Sequence, residues 1–366
     1  MTSRLDIPNP PASSPLVPFC KLADVERYVA CSWDLSADAA GRNHWAPFFK
    51  RHLQTTLSLG IEAAVARGED TASALARADR CRTELTGTID AFLANPTQHG
   101  RVTILTLVHW RDGLLRRHGF VDAFIDLKDR ENHKMLPLLG QVCRELDALR
   151  GEAQIWAMIL GVFAGNIFDM GSEATSGQFL CASPDFFATR SAIAPRPWLI
   201  DDYDHLAARL AGPAYRKAVF FIDNAGSDFL LGALPMIRWL ARRGTQILLA
   251  ANDRPTLNDM TIEDVRRWWP AILQAESSLA ELPIELIGTG TGEPLIDLSA
   301  VSRSLNAAAV DADLVILEGM GRGVESNLDA RFQCDSLILA MIKDAAVAAR
   351  HGGKVFDVVC RFRPAT

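Results

Sequence analysis

The strand-like run Lys217-Ala218-Val219-Phe220-Phe221-Ile222 delivers the chain straight into Asp223-Asn224-Ala225-Gly226-Ser227-Asp228, and this junction constrains the fold most. The unbroken apolar or small residues after Lys217 suit a parallel strand buried on both faces, which puts Asp223 and Asn224 at its carboxyl end, where open α/β sheets hold their ligands. A second strand, Thr245 to Ala251, ends in the loop Asn252 to Leu257, followed by Asn258-Asp259 and the helix-like Thr261-Ile262-Glu263-Asp264. If the two strands are neighbours, Asp259 comes down beside Asp223 and Asn224. Two carboxylates and an amide oxygen on a loop rim suit a hard divalent cation such as Mg²⁺ or Mn²⁺. An acid just after a strand often only caps the next helix, and Asp223 alone does not choose between the two roles. Three oxygen ligands at two successive strand ends are harder to explain as caps.

From Lys217 onward strands and helices alternate. Strands are expected at 217–222, 245–251, 284–287, 313–317 and 355–362, and helices at 230–243, 262–277, 301–309 and 337–350. That rhythm predicts an α/β fold: a Rossmann-like, mostly parallel sheet with helices on both faces. Before it, residues 45–180 read as helix after helix, with candidates at 44–68, 70–95, 101–118, 131–150 and 152–163. The expected organisation is a Pro/Ser-rich arm (1–18), a mainly helical domain (19–205) packed on the sheet domain, and an α/β domain (206–366). The two prolines of Pro195-Arg196-Pro197-Trp198 mark the connector.

Composition narrows the partners. With 366 residues, 49% of them hydrophobic, the chain can build an ordinary core. A net charge of −6 with dispersed Lys and Arg offers no basic stripe, which argues against nucleic acid. The longest uncharged stretch, Ala153 to Phe168, is short for a membrane span and contains Gln154 and Asn166. The arm shows no leader pattern. Seven scattered cysteines without a C-x-x-C pair read as reduced thiols. A cytoplasmic protein is therefore expected; the oligomeric state is left open.

Three further groups could carry chemistry. Asp313 to Leu317 runs into Glu318-Gly319-Met320-Gly321-Arg322-Gly323, where the amides of Gly319 and Gly321 can approach a phosphate and Arg322 can fork onto its oxygens. A glycine cluster alone is a weak signal, since a plain tight turn needs the same residues. Ala164-Gly165-Asn166-Ile167-Phe168-Asp169 is a polar, glycine-flanked interruption after an apolar helix. The cluster Lys128-Asp129-Arg130-Glu131-Asn132 reads first as a solvated helix start, with Lys128 retained as a candidate phosphate contact. Rival motifs fail on the letters: neither Gly288-Thr289-Gly290 nor Gly319-Met320-Gly321 completes a G-x-G-x-x-G, and there is no P-loop, no G-x-S-x-G elbow and no zinc-like histidine spacing.

At these residues the sequence resembles the metal-dependent damage-control phosphatases, also known as domain of unknown function 89, and within them subfamily II, whose hallmark Glu-Gly-Met-Gly-Arg stands here as Glu318 to Arg322. The likeness extends to 164–169, 223–228, 249–252 with 258–259, and 334–337, and further likenesses at Gly119-Phe120 with Glu131-Asn132 and at Arg196-Pro197-Trp198 carry it over most of the chain after Pro18. The resemblance implies Asp223, Asn224 and Asp259 as ligands of one divalent ion (Mn²⁺, Ni²⁺, Co²⁺ or Mg²⁺). It also implies hydrolysis of small phosphomonoesters, with 4′-phosphopantetheine and its oxidised or sulfonated forms as leading substrates and clearance of damaged coenzyme A precursors as the purpose. Glu318 and Arg322 are then expected in the catalytic centre. Gly165, Asn166, Asp169, Asp228, Gly319, Gly321 and Lys128 are expected around the phosphate. The alternatives are a sugar-phosphate phosphatase of the same family, an S-adenosylmethionine-dependent methyltransferase and a non-catalytic metabolite-binding protein.

Overall fold

The structure, a computed structural model, describes residues 15–167 and 185–365. Among them, seven strands form one sheet in the order β1-β7-β6-β5-β2-β3-β4. These are β1 (Ile200–Asp201), β2 (Lys217–Phe221), β3 (Gln246–Ala251), β4 (Ile284–Gly288), β5 (Leu314–Glu318), β6 (Asp335–Met341) and β7 (Val358–Arg363). Pairing is parallel throughout except between β6 and β7. β2 is the switch point of the topology. From it the chain moves outward through β3 and β4, then returns to lay β5 along its other side. A crevice opens at the carboxyl ends of two strands that diverge in this way, and ligands bind there in open α/β sheets.

Alternation along each strand divides the core. Val219, Phe221, Leu248, Ala250, Val315 and Leu317 face one layer, while Ala218, Phe220, Ile222, Ile247, Leu249 and Ile316 face the other. The first layer is closed by α1 (Ala39–Ala66), α2 (Thr71–Ala94) and α3 (Ile104–Arg117), with Trp45, Phe48 and Phe49 of α1 buried in the same cluster. α4 (Ile125–Met135) follows. The second layer is closed by α5 (Leu139–Ala148), α6 (Gly151–Gly165) and the helices at Tyr203–Ala211, Leu234–Arg242 and Ile262–Ala275.

The α/β class and the parallel sheet follow the sequence rhythm, but four elements differ. The stretch expected as one helix over 337–350 is β6 followed by a short helix, Ala345–Arg350. Leu337 to Met341 is buried on both faces, and a continuous apolar run carries no period that separates a strand from a buried helix. The helix expected at 230–243 opens as a π-type turn, Asp228–Ala233, and a second such turn, Met320–Glu325, follows β5. Both lie directly beyond the strand ends that flank the switch point, and π-turns recur at functional sites. The connector hides the short β1 and the helix Tyr203–Ala211. α4 begins before the expected start at 131 and buries Lys128, Glu131 and Asn132, so that cluster is not a solvated helix start. Among the described residues, no helix is long and apolar enough to cross a membrane.

Candidate active site

Asp223 emerges from β2 and Glu318 ends β5, so the two acids stand on either side of the switch point. The Asp223 amide donates to Glu318 Oε2 at 3.1 Å. Asp259 is brought over by an antiparallel bridge with Asn224, reinforced by the Met260 amide donating to the Asp223 carbonyl at 2.9 Å. The expected convergence of Asp223, Asn224 and Asp259 is what the backbone produces. Asn224 fixes a fourth acid: its backbone amide and its Nδ2 both donate to Asp228 Oδ2, at 3.2 and 2.9 Å. That leaves the Asn224 amide oxygen, the atom a cation needs, unspent on Asp228.

Two cations and an amide organise these acids. Arg322 donates through Nη1 to Asp223 Oδ1 and through Nη2 to Asp259 Oδ2, the second at 2.7 Å. Its guanidinium forks across two carboxylates from different strand ends, where the sequence suggested a fork on phosphate. Asn166, at the carboxyl end of α6, donates from Nδ2 to Asp228 Oδ2 and Glu318 Oε1, both at 3.1 Å, and lies 3.5 Å from Asp223 Oδ2. Lys343 in turn donates to the Asn166 carbonyl at 2.6 Å and to its Oδ1 at 3.3 Å. All of these groups are almost fully buried.

The charge balance tests whether a metal suits the site. Among the described residues, Asp223, Asp228, Asp259 and Glu318 are four buried carboxylates around two buried cations, Arg322 and Lys343, an excess of two negative charges when all are ionised. Asp223, Asp228 and Glu318 bring carboxylate oxygens within 4.8 Å of one another. Asp228 Oδ1 is buried with no hydrogen-bond partner, an arrangement costly for a carboxylate unless an ion completes it. One divalent cation matches the excess. Otherwise protons must supply the charge: burial pushes the Asp223 carboxyl well up, with Asp259 and Asp228 adding to the effect against the pull of Arg322. Burial and the neighbouring Asp228 do the same to Glu318. Burial alone would lower the Arg322 pKa, but Asp259 and Asp223 outweigh it and hold the guanidinium firmly charged.

The remaining expected residues separate. Gly319 adopts φ +99°, and a Cβ there would run into the Asp223 carboxylate, so only glycine lets the loop close on the acid. Its amide is already spent on the Leu339 carbonyl at 3.0 Å, which removes it as a phosphate donor. Gly321 lines the cavity beside the acids. Gly165 serves packing: an added Cβ would meet the Ser227 carbonyl at 2.8 Å and the Asp228 Cα at 3.0 Å. Lys128 does not join this cluster. Its ammonium is held by Asp122 at 2.9 Å and Asp264 at 2.6 Å, and it ties α4 to the capping box of the helix that follows Asp259. Asp169 lies outside the described residues. The sequence reading missed Lys343, because it sits just beyond a strand taken for a helix. It also missed Asn252, whose Nδ2 donates to Asp259 Oδ2 at 3.1 Å from the end of β3, a position that could have been found by the same strand-end logic.

Above Asp223, Asn224 and Asp259 lies a cavity of about 50 Å³ roofed by Trp45, Phe48 and Phe49 of α1 and by Val108 of α3. Apolar side chains packed over a charged floor lower the local dielectric and strengthen the charge interactions there.

The sequence and the fold are similar to those of known proteins. The family model for the damage-control phosphatase ARMT1-like domain matches residues 60–359. A damage-control phosphatase of Arabidopsis thaliana is 38% identical over 292 residues, 78% of this chain and 80% of that protein. The 4′-phosphopantetheine phosphatase of Mus musculus is 32% identical over 410 aligned residues, 96% of this chain but 49% of that protein. Pantothenate kinase 2 of Arabidopsis thaliana is 33% identical over 94% of this chain and 42% of its own length. The chain thus spans less than half the length of the last two. Among solved structures, a DUF89 family protein from Pyrococcus horikoshii superposes with a TM-score of 0.58 at 18% identity, over 85% of this chain and 96% of that one, and shares the fold.

Proposed function

Because the chain belongs to the damage-control phosphatase ARMT1-like family, we propose that it hydrolyses small phosphomonoesters with one divalent cation, 4′-phosphopantetheine and its oxidised or sulfonated derivatives being its substrates. The observation that carries the reading is the pair of uncompensated negative charges buried at the switch point, with an orphaned Asp228 oxygen among them. The substrate class is supported by the mouse relative, which aligns with nearly the whole chain. Asp223, Asn224 and Asp259 would hold the cation, with Asp228 and Glu318 behind them. When bound, Mn²⁺, Ni²⁺, Co²⁺ or Mg²⁺ would neutralise charge on the phosphoryl group and acidify a water.

The protein's own residues do the positioning. Arg322 locks Asp223 and Asp259 at a fixed separation. Asn166, anchored by Lys343, aligns Asp228 and Glu318. Gly319 lets the loop pass close to Asp223, and Gly321 lines the cavity that a phosphate would enter. Trp45, Phe48 and Phe49 set an apolar wall against the cavity. A cytoplasmic setting belongs to the same proposal, supported by the free thiols of the described cysteines. The test is phosphate release from a panel of phosphomonoesters with each of the four metals. Metal-dependent release with 4′-phosphopantetheine compounds preferred is expected. A clear preference for fructose 1-phosphate would replace the substrate class with sugar phosphates, and no release from any member would leave a binding protein.

A further inference from the structure

Phosphoryl transfer is carried by charges aimed at the transferring group, and the cations described so far are all spent elsewhere. Arg322 holds Asp223 and Asp259, and Lys343 donates to Asn166. Lys128 is taken by Asp122 and Asp264. None of the three lines the cavity over the acids. At about 50 Å³ that cavity has room for a few heavy atoms, the size of a phosphoryl group. Among the described residues its lining holds a single cation, Arg111 of α3. Asp223, Asn224 and Asp259 line the same space, so a group seated there meets the ligand oxygens and the guanidinium together.

Arg111 is held along one edge and free at the other. It is 2% exposed, with Nε donating to Asp112 Oδ1 at 2.7 Å and Nη2 lying 3.4 Å from Thr256 Oγ1. Thr256 donates to Asp112 Oδ2 at 2.7 Å, which closes a ring of contacts around that edge. Phe49 flanks the group, its ring centroid 5.6 Å from the guanidinium carbon. Among the described residues Nη1 has no hydrogen-bond partner, a costly state for a buried donor unless an anion completes it. Asp112 does not cancel the charge by itself. Arg116 feels Asp112, Glu293, Arg111 and Arg254, so three arginines share two acids and one positive charge is left over. Glu325 also lines the cavity, but it is half-buried where the cavity meets the outer cleft, and water screens it there. The arginine is tied to the ligand loop as well: the Asp259 amide donates to the Thr256 carbonyl at 3.2 Å, so one turn carries a ligand and fixes Arg111.

We propose that Arg111 is the chain's phosphate clamp: its Nη1 and Nη2 fork onto the phosphoryl oxygens of a substrate seated over Asp223, Asn224 and Asp259. The helical part of the chain then supplies a catalytic residue to a site whose metal ligands all follow strands of the sheet. The assignment rests on the phosphatase reading above and adds to it the residue that holds the transferring group. The experiment compares wild type, Arg111→Lys and the double variant Arg111→Gln/Asp112→Asn, which leaves no lone buried carboxylate. Three quantities are measured: the Mn²⁺ dissociation constant, the binding of inorganic phosphate to the Mn²⁺-loaded protein by equilibrium dialysis, and kcat/KM on p-nitrophenyl phosphate. Both variants should bind phosphate about tenfold more weakly or worse and lose about 10²-fold in kcat/KM, with Mn²⁺ held no less tightly than in wild type. Lysine fails because one ammonium cannot keep Asp112 and reach the phosphate at once. Unchanged phosphate affinity in either variant overturns the clamp. So does a joint fall in phosphate and Mn²⁺ affinity, which would make Arg111 a prop of the ligand loop. If the double variant does not fold, Arg111→Lys decides alone. A wild type that binds Mn²⁺ and phosphate but cleaves no phosphomonoester sinks the phosphatase reading, while the phosphate affinities of the variants still judge Arg111.

Discussion

Arg322 shows how a single side chain can be legible in type and illegible in partner. An arginine in a glycine-rich loop after a strand suggests phosphate, yet its two nitrogens are taken by Asp223 and Asp259. Both roles use the planar fork, so Arg322→Lys should be nearly as damaging as Arg322→Ala, since one ammonium cannot span two carboxylates. Measured kcat/KM for the two variants should fall together, and a lysine variant near wild type would reduce Arg322 to bulk positive charge. Asp223→Ala, Asn224→Ala and Asp259→Ala should each cut metal-dependent turnover on the order of 10²-fold or more while leaving far-UV circular dichroism unchanged. Near-wild-type rates at saturating metal would refute the ligand assignment. The raised carboxyls of Asp223 and Glu318 set a pH dependence. A carboxyl whose pKa is higher folded than unfolded contributes stability that is full below the unfolded value and lost as pH rises through the folded one. Metal-free protein should therefore lose stability above the ordinary carboxylate range. The Tm gain on adding Mn²⁺ should grow with pH, because the ion replaces those protons. A gain that shrinks from pH 6 to pH 8 would contradict the buried, proton-compensated cluster.

At the scale of elements, α6 and the π-turn Asp228–Ala233 pack backbone against backbone, where Gly165 faces Ser227 and Gly232 faces Gly161 and Val162. Gly165→Ala should lower stability by about 1–3 kcal/mol, because the neighbours are main chain and cannot step aside. It should also cut activity, since the same contact aims Asn166 and Asp228; a urea titration and an assay on one preparation check both. A variant as stable as wild type would show that the two elements can part. Such a contact cannot be read from sequence, where Gly165 looks like part of a phosphate loop. The strand ends could be read: β2, β3 and β5 are bounded by Asp223, Asn252 and Glu318, so apolar runs ending in polar residues mark both sheet and site. β6 could not, because its run continues apolar to Ile342 and the polar pair Lys343-Asp344 looks like the middle of a helix. With the strand lost, the lysine that anchors Asn166 was lost as well. Lys128 failed for the opposite reason: its charge was visible, but its partners Asp122 and Asp264 come from two other segments of the chain.

At the scale of the molecule, the change of rhythm near residue 206 is a boundary in sequence, and we propose that it is not a boundary in folding. Each face of the sheet is closed by side chains from before it. Phe19 packs edge-on to Phe221, with ring centroids 5.7 Å apart, and Trp45, Phe48, Phe49 and Leu53 extend the same cluster. On the other face Ile155, Ile159, Val162 and Phe163 of α6 cover residues of β2, β5 and β6. Burying each such side chain stabilises by about 1.5–3 kcal/mol, while net stability of a whole domain is only about 5–15 kcal/mol. Uncovering even a handful exhausts that margin. The α/β part also carries most of the charged site, whose roof of Trp45, Phe48 and Phe49 would be gone. A fragment of residues 206–366 expressed alone should therefore show no cooperative urea transition and no protected core amides in hydrogen exchange, whereas the full chain shows both. Co-expression with residues 1–205 should restore a soluble complex that releases phosphate. A lone fragment that unfolds cooperatively, with a midpoint comparable to that of the full chain, would establish the α/β part as an independent folding unit and the helical part as an addition to it.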